Sequence, residues 1–149
     1  MNVMLSGPFL QEHFGPSVEA KAHRKVFELR AAYDHALTQV DILVTPCAPT
    51  VAMPHPKMKA DRDGPESTIM EKLSTALGVT TNTAPFNVTG HPAMSVPCGF
   101  GRAESPTNQP EVQLPIGLQI VGRRWEDAML LKAAAVFEEG RSIVSNQLN

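Results

Sequence analysis

The chain has 149 residues, with 13 basic and 15 acidic side chains, a formal net charge of −2 and 42% apolar residues. That length accommodates one ordinary domain, the composition is globular rather than disordered, and the balanced charge excludes the basic footprint of a nucleic-acid binder. Two cysteines, Cys47 and Cys98, are too few for a disulfide framework and suit a reducing, cytoplasmic compartment. No apolar run approaches the roughly 18 residues of a membrane span, and no basic residue precedes Lys21.

The first predicted element is one long amphipathic helix over 17–40. Val26, Leu29, Tyr33, Leu37 and Val40 recur at steps of three and four, with Lys21, Arg24, Lys25, Glu28 and Gln39 on the other sides. Ser17 reads as its N-cap and Glu19 as a first-turn acid. The run Asp41-Ile42-Leu43-Val44-Thr45 reads as a short buried strand stopped by Pro46.

The chain carries 13 prolines, and eleven of them fall between Pro46 and Pro115, so the middle is punctuated by fixed turns. Residues 46–65 read as a loop with a solvated charged cluster. Thr68 followed by Glu71 forms a capping-box pattern, predicting a short helix to Leu77 with Gly78 as its stop. The segment 80–101 is nearly uncharged, rich in Thr, Asn, Pro and Gly, and includes a buried strand over 93–97; such a segment suits a pocket lining or a buried loop. After a hydrophilic excursion over 102–110, Ile116 to Gly122 reads as a strand. A second amphipathic helix is predicted over 126–139, with Leu130, Ala133, Ala134 and Phe137 on one face and Gly140 at its end. Helices interleaved with continuous apolar strands predict an α/β fold, its strands covered on both faces.

The chemistry legible in the residues alone is sparse. The five histidines are scattered, so no metal-ligand spacing is present, and no glycine run cradles a phosphate. Cys47 and Cys98 read as buried apolar residues rather than partners of a histidine. No constellation specifies a reaction, and no cofactor is implied.

Three blocks carry a resemblance. The runs Phe86-Asn87-Val88-Thr89-Gly90-His91-Pro92-Ala93-Met94-Ser95-Val96-Pro97-Cys98-Gly99-Phe100 and Leu114-Pro115-Ile116-Gly117-Leu118-Gln119-Ile120-Val121-Gly122-Arg123, the second followed by Trp125 and Glu126, together with Val40-Asp41-Ile42-Leu43-Val44-Thr45-Pro46, resemble the carboxy-terminal portion of the amidase signature family, in family order. The opening residues 2–7 and the stretch 30–33 are similar to its fungal acetamidase-like branch. The resemblance implies the carboxy-terminal part of the amidase signature fold, with strands of a mixed sheet covered by helices and residues 1–149 forming a partial domain. It also implies hydrolysis of carboxamide C–N bonds by two serines and a lysine. This chain has no adjacent serine pair and no Gly-Gly-Ser-Ser run, so no catalytic residue is assigned to it.

By the same resemblance Thr45 and Pro46 lead into the substrate cleft. Trp125 corresponds to an aromatic of the acyl channel in fatty acid amide hydrolases; the alternative is an indole packing the last helix onto the sheet. Thr80, five residues before Pro85, stands where glutaminase subunits of tRNA-dependent amidotransferases carry an acid that reads the substrate's amino group, a departure that argues against glutamine as substrate. Two functions are therefore expected: a carboxy-terminal fragment of an amide hydrolase, inactive alone, or a non-catalytic remnant that binds a small molecule or a partner. The expected partner is a small amide, once an amino-terminal portion completes the site. Neither nucleic acid nor membrane is expected, and apolar surface left exposed favours self-association.

Overall fold

The computed structural model describes residues 2–53, 78–103 and 112–147. In chain order the elements are α1 (Asn2–Phe14), α2 (Pro16–Ala36), β1 (Leu43–Pro46), α3 (Ala84–Thr89), β2 (Ala93–Arg102), β3 (Gln113–Val121) and α4 (Asp127–Gln147). The α/β class expected from the sequence is the class observed. The three strands form one sheet in the order β1-β3-β2, and all of their pairings are antiparallel.

The first long helix begins earlier than its predicted cap. Gly15 adopts φ 70°, a left-handed value open to glycine, and turns the chain between α1 and α2; Pro16 then starts α2 with its fixed φ, so Ser17 is not the cap. The helix also stops at Ala36. Leu37, almost fully buried, is its C-cap, and the Thr38 hydroxyl donates to His35 O at 2.7 Å. The apolar stripe predicted to be buried is only partly so: Val26 and Tyr33 are half-buried, while Leu29 and Val40 are exposed.

The strands are not covered on both faces along their length. Burial alternates in β1 and through most of β2, with Val44 52% exposed, as antiparallel strands with one solvated face do. Only the end of the central strand is enclosed on both sides, where Gln119, Ile120 and Val121 are all buried. Cross-strand register runs from Leu43↔Val121 to Pro46↔Leu118 on one side and from Ala93↔Val121 to Arg102↔Gln113 on the other. A bulge between Pro97 and Gly99 absorbs the missing donor of the proline, and β2 runs on through Gly99, Phe100 and Gly101, beyond the strand predicted over 93–97.

The core sits between the sheet and α4. Val96, Ile120, Leu130 and Ala134 form its buried centre, with Ala133, Phe137, Met94, Leu118 and Ile42 packed around it, so the face assigned to this helix from its periodicity is the face it buries. Gly140 does not end the helix, which continues to Gln147; glycine weakens a helix without forcing a stop. On the other side, Phe86 and Thr89 of α3 are buried, Phe86 lies against the Tyr33 ring (centroids 5.0 Å apart), and Gly90 closes α3 in the left-handed conformation. The predicted helix over 68–77, most of the 46–65 loop and most of the 102–110 excursion lie outside the described residues. Among the described residues, no helix is long and apolar enough to cross a membrane.

Candidate functional site

One buried amide organises the end of β1. The Gln119 side chain, 3% exposed, donates from Nε2 to Thr45 Oγ1 (3.0 Å) and to Asn82 O (2.9 Å). Asn82 Nδ2 in turn donates to Pro46 O at 3.0 Å. The turn carrying Asn82 is tight: Thr80 O accepts from Ala84 N (2.8 Å) and Thr83 N (3.1 Å), and the Thr81 hydroxyl donates to Gly78 O (2.6 Å). Thr45, Pro46 and the turn that holds Thr80 are thus fastened together. Nothing in the sequence pattern had marked Gln119, although a single amide inside an apolar strand is a signal, because a buried amide requires partners.

Beyond Pro46 the chain bends around a groove of about 480 Å³, walled by residues 46–53, Val79 and residues 115–117. None of these twelve residues is charged. Cys47 N donates to Gly117 O (3.0 Å), and Cys47 Sγ donates to Ser95 Oγ (2.9 Å). Gly117 leaves the room this requires, since a Cβ there would stand 2.9 Å from Ser95 Oγ and 3.3 Å from Cys47 Sγ. Cys98 Sγ donates to Ile116 O at 3.4 Å, so the hydrogen bond of neither thiol goes to a histidine. Both cysteines are half-buried, not the enclosed apolar residues expected. Among the described residues no group of His, Cys, Asp and Glu is placed to hold a metal ion.

Trp125 stands apart from this groove. It follows the far end of β3, five residues and roughly 17 Å of strand beyond Ile116, plus the turn. Its φ is 71°, a left-handed value that disfavours a bulky side chain, and its indole is 91% exposed, so it does not pack α4 onto the sheet.

Two guanidinium groups hold the turn that displays it. Arg123 donates to Leu37 O (2.9 Å) and Val40 O (3.1 Å), placing a cation at the C-terminus of α2, where the helix dipole favours one. Arg124 forks onto Asp34, at 3.2 Å to Oδ1 and 3.0 Å to Oδ2. His91, 4% exposed, lies beneath: Nε2 is 3.3 Å from Asp34 Oδ1, and Nδ1 shares a 3.0 Å hydrogen bond with Thr89 Oγ1. Arg30 donates to Thr89 O at 2.8 Å. The cluster ties α2, the end of α3 and the β3–α4 turn together.

The Arg124 hydrogen bond holds the Asp34 carboxyl below its ordinary range, against a smaller opposing effect of burial. Burial pushes His91 below the ordinary imidazole range, and the nearby Asp34 charge only partly offsets it. Both shifts act in the same direction. With a depressed folded-state value, the stability each group contributes is complete above its unfolded value, near 6.5 for His91 and 3.8 for Asp34, and is lost as pH falls from there towards the folded value. Stability should therefore start to decline below about pH 6.5, with a slope from His91 of at most about 1.4 kcal/mol per pH unit. Urea midpoints at pH 7.5, 6.5 and 5.5 should show this decline, and His91→Phe should flatten it; an equal decline in the variant would place the acid sensitivity elsewhere.

A comparison of the sequence with protein families matches the family described as Amidase over residues 3–131. Among curated relatives, an uncharacterized protein in the nthA 5′ region of Rhodococcus erythropolis is 40% identical over 139 residues, covering 93% of this chain and 61% of that protein. An enantioselective amidase of Rhodococcus rhodochrous is 35% identical over 136 residues, which is 91% of this chain and 23% of the relative. A glutamyl-tRNA(Gln) amidotransferase polypeptide of Prochlorococcus marinus subsp. pastoris is 33% identical over 130 residues, 87% of this chain and 22% of that polypeptide. The chain thus spans about three-fifths of the first of these relatives and less than a quarter of the other two. With the match running from the first helix into the last, the chain belongs to the amidase family.

Proposed function

We propose that this chain is a partial amidase domain that supplies one wall of the substrate cleft of a carboxamide hydrolase, while the groups that attack the amide come from outside its 149 residues. The observation that carries this reading is a family match over residues 3–131 in a sequence that has no adjacent serine pair. Thr45, Pro46 and the turn bearing Thr80 form that wall, held by Gln119. Trp125 belongs to the far end of the cleft, where its exposed indole meets a longer acyl group or the amino-terminal portion. Thr80, neutral where an amino-reading acid would sit, favours amides other than glutamine and favours the amidase role over the amidotransferase one. The exposed Phe9, Phe14, Phe27 and Val136 are covered by the rest of such a domain, or by a second copy when the chain is alone. The two free thiols fit the cytoplasm.

The test is hydrolysis of acetamide, benzamide and hexanamide by the chain alone, and by the chain joined behind the amino-terminal portion of the Rhodococcus rhodochrous relative. The chain alone is expected to be inactive and the joined protein active.

A further inference from the structure

Trp125 occupies a place that backbone rules assign to glycine. Glu126 N donates to Arg123 O (3.1 Å), closing a tight turn over 123–126 in which Trp125 is the third residue. A turn with positive φ at that residue alone follows the type II pattern, which favours glycine there. Trp125, at φ 71°, is the one non-glycine with a positive φ among the described residues, and its exposed indole gains no packing in return. A backbone held in so sparsely populated a region persists only where its surroundings over-determine it.

The surroundings supply that constraint. Gly122 N donates to Pro92 O (3.1 Å) before the turn, and Met129 N donates to Glu126 O (2.9 Å) after it. Arg123, the first residue of the turn, is held by the carbonyls of Leu37 and Val40. Arg124, the residue directly before Trp125, is held by Asp34, with two nitrogens on two oxygens at 3.2 and 3.0 Å. A forked pair of this kind fixes direction as well as distance. The fully enclosed His91 side chain backs Asp34 Oδ1 at 3.3 Å, which braces the carboxylate against turning away from Arg124.

Resting on the amidase reading, we propose that Asp34 is a positioning residue for the cleft: its fork with Arg124 holds the turn in the strained conformation that presents Trp125 to the substrate. Asp34 acts through Arg124 and the turn rather than on the amide itself. An asparagine at position 34 keeps the shape but offers a single oxygen, so the fork opens. A lysine at position 124 keeps the charge but brings a point charge in place of a planar fork, with the same consequence.

The experiment has two arms. In the full chain, limited digestion with trypsin followed by mass spectrometry reads the initial rate of cleavage between Arg124 and Trp125, with Lys25 in α2 and Lys132 in α4 as references. Asp34→Asn should quicken cleavage at Arg124 by about fivefold or more and leave both references unchanged, since cleavage follows the population of the locally opened turn. Asp41→Asn, which removes the exposed carboxylate 3.4 Å from Arg123, should leave all three rates as in the parent. Trp125→Gly should raise the thermal midpoint, because glycine adopts the left-handed region without penalty. In the joined protein, Asp34→Asn, Arg124→Lys and Trp125→Ala should each lower kcat/KM for hexanamide roughly threefold more than for acetamide, whose acyl part is too short to reach the indole. Unchanged cleavage at Arg124, equal quickening at all three sites, the same quickening in Asp41→Asn or a lowered midpoint in Trp125→Gly would overturn the assignment. Activity in the joined protein with an unchanged ratio for Asp34→Asn would keep the amidase reading and remove the role of Asp34. An inactive joined protein would remove the amidase reading, and the trypsin arm would still decide whether Asp34 holds the turn.

Discussion

Leu130→Ala is expected to lower the stability of the chain by about 2–5 kcal/mol, more than a conservative change at an exposed position of the same helix would. Leu130 is 3% exposed and sits in the buried centre with Val96, Ile120 and Ala134. It also fills space that another residue has given up: a Cβ on Gly122 would lie 2.3 Å from Leu130 Cδ1. Truncation therefore opens a cavity beside a glycine with no side chain to fill it, and the penalty combines lost burial with lost packing. The neighbouring Leu131, 61% exposed, provides the contrast, and Leu131→Ala should fall within about 0.5 kcal/mol of the parent. Urea unfolding followed by circular dichroism reads both. Similar losses in the two variants would contradict the assignment of the inward face of α4.

Gln119→Leu should destabilise by about 1–3 kcal/mol through a different mechanism. The substitution keeps an apolar shape inside the strand but strips the donor from Thr45 Oγ1 and Asn82 O, two acceptors held at 3.0 and 2.9 Å. Its signature is local. Amide hydrogen exchange should quicken over residues 81–86, where the turn leans on Asn82, and stay unchanged in α4. Adding Thr45→Val removes one orphaned acceptor and should recover part of the loss, since replacing both partners of a hydrogen bond is milder than removing one. A uniform rise in exchange throughout the chain would show that Gln119 supports the whole sheet rather than the turn.

Some of this architecture could be read from the sequence because it rests on local pattern. The inward face of α4 followed from the spacing of Leu130, Ala134 and Phe137, and the strand ending at Pro46 from its apolar run. The boundaries moved where a backbone effect outweighed a side-chain signal: Gly15 and Pro16 start α2 ahead of Ser17, and Gly140 is carried inside α4. Burial on both faces was overestimated because an apolar run does not distinguish a central strand from an edge strand, and among the described residues β1 and β2 are both edges.

Residue spacing alone pointed to no site; Thr45, Pro46, Thr80 and Trp125 came from the resemblance. Thr45, Pro46 and the turn of Thr80 converge, but the bonds that hold them cross 36 to 74 residues of chain, a distance at which residue spacing carries no information. The Asp34–His91–Arg124 cluster was invisible for the same reason, with 90 residues between the carboxylate and the guanidinium it binds.

The measurement that bears most directly on the amidase assignment is the rate of benzamide hydrolysis by the chain alone and by the joined protein, each verified as folded by its thermal transition. On the proposal that the nucleophile and the oxyanion-binding donors come from outside these residues, the chain alone should give no turnover above buffer, because loss of such groups removes several orders of magnitude of rate. The joined protein should hydrolyse benzamide and lose that activity when the serine pair that the resemblance implies in its amino-terminal portion is replaced by alanines. Turnover by the chain alone that vanishes on substituting one of its own residues, or a folded joined protein without activity, would contradict the account.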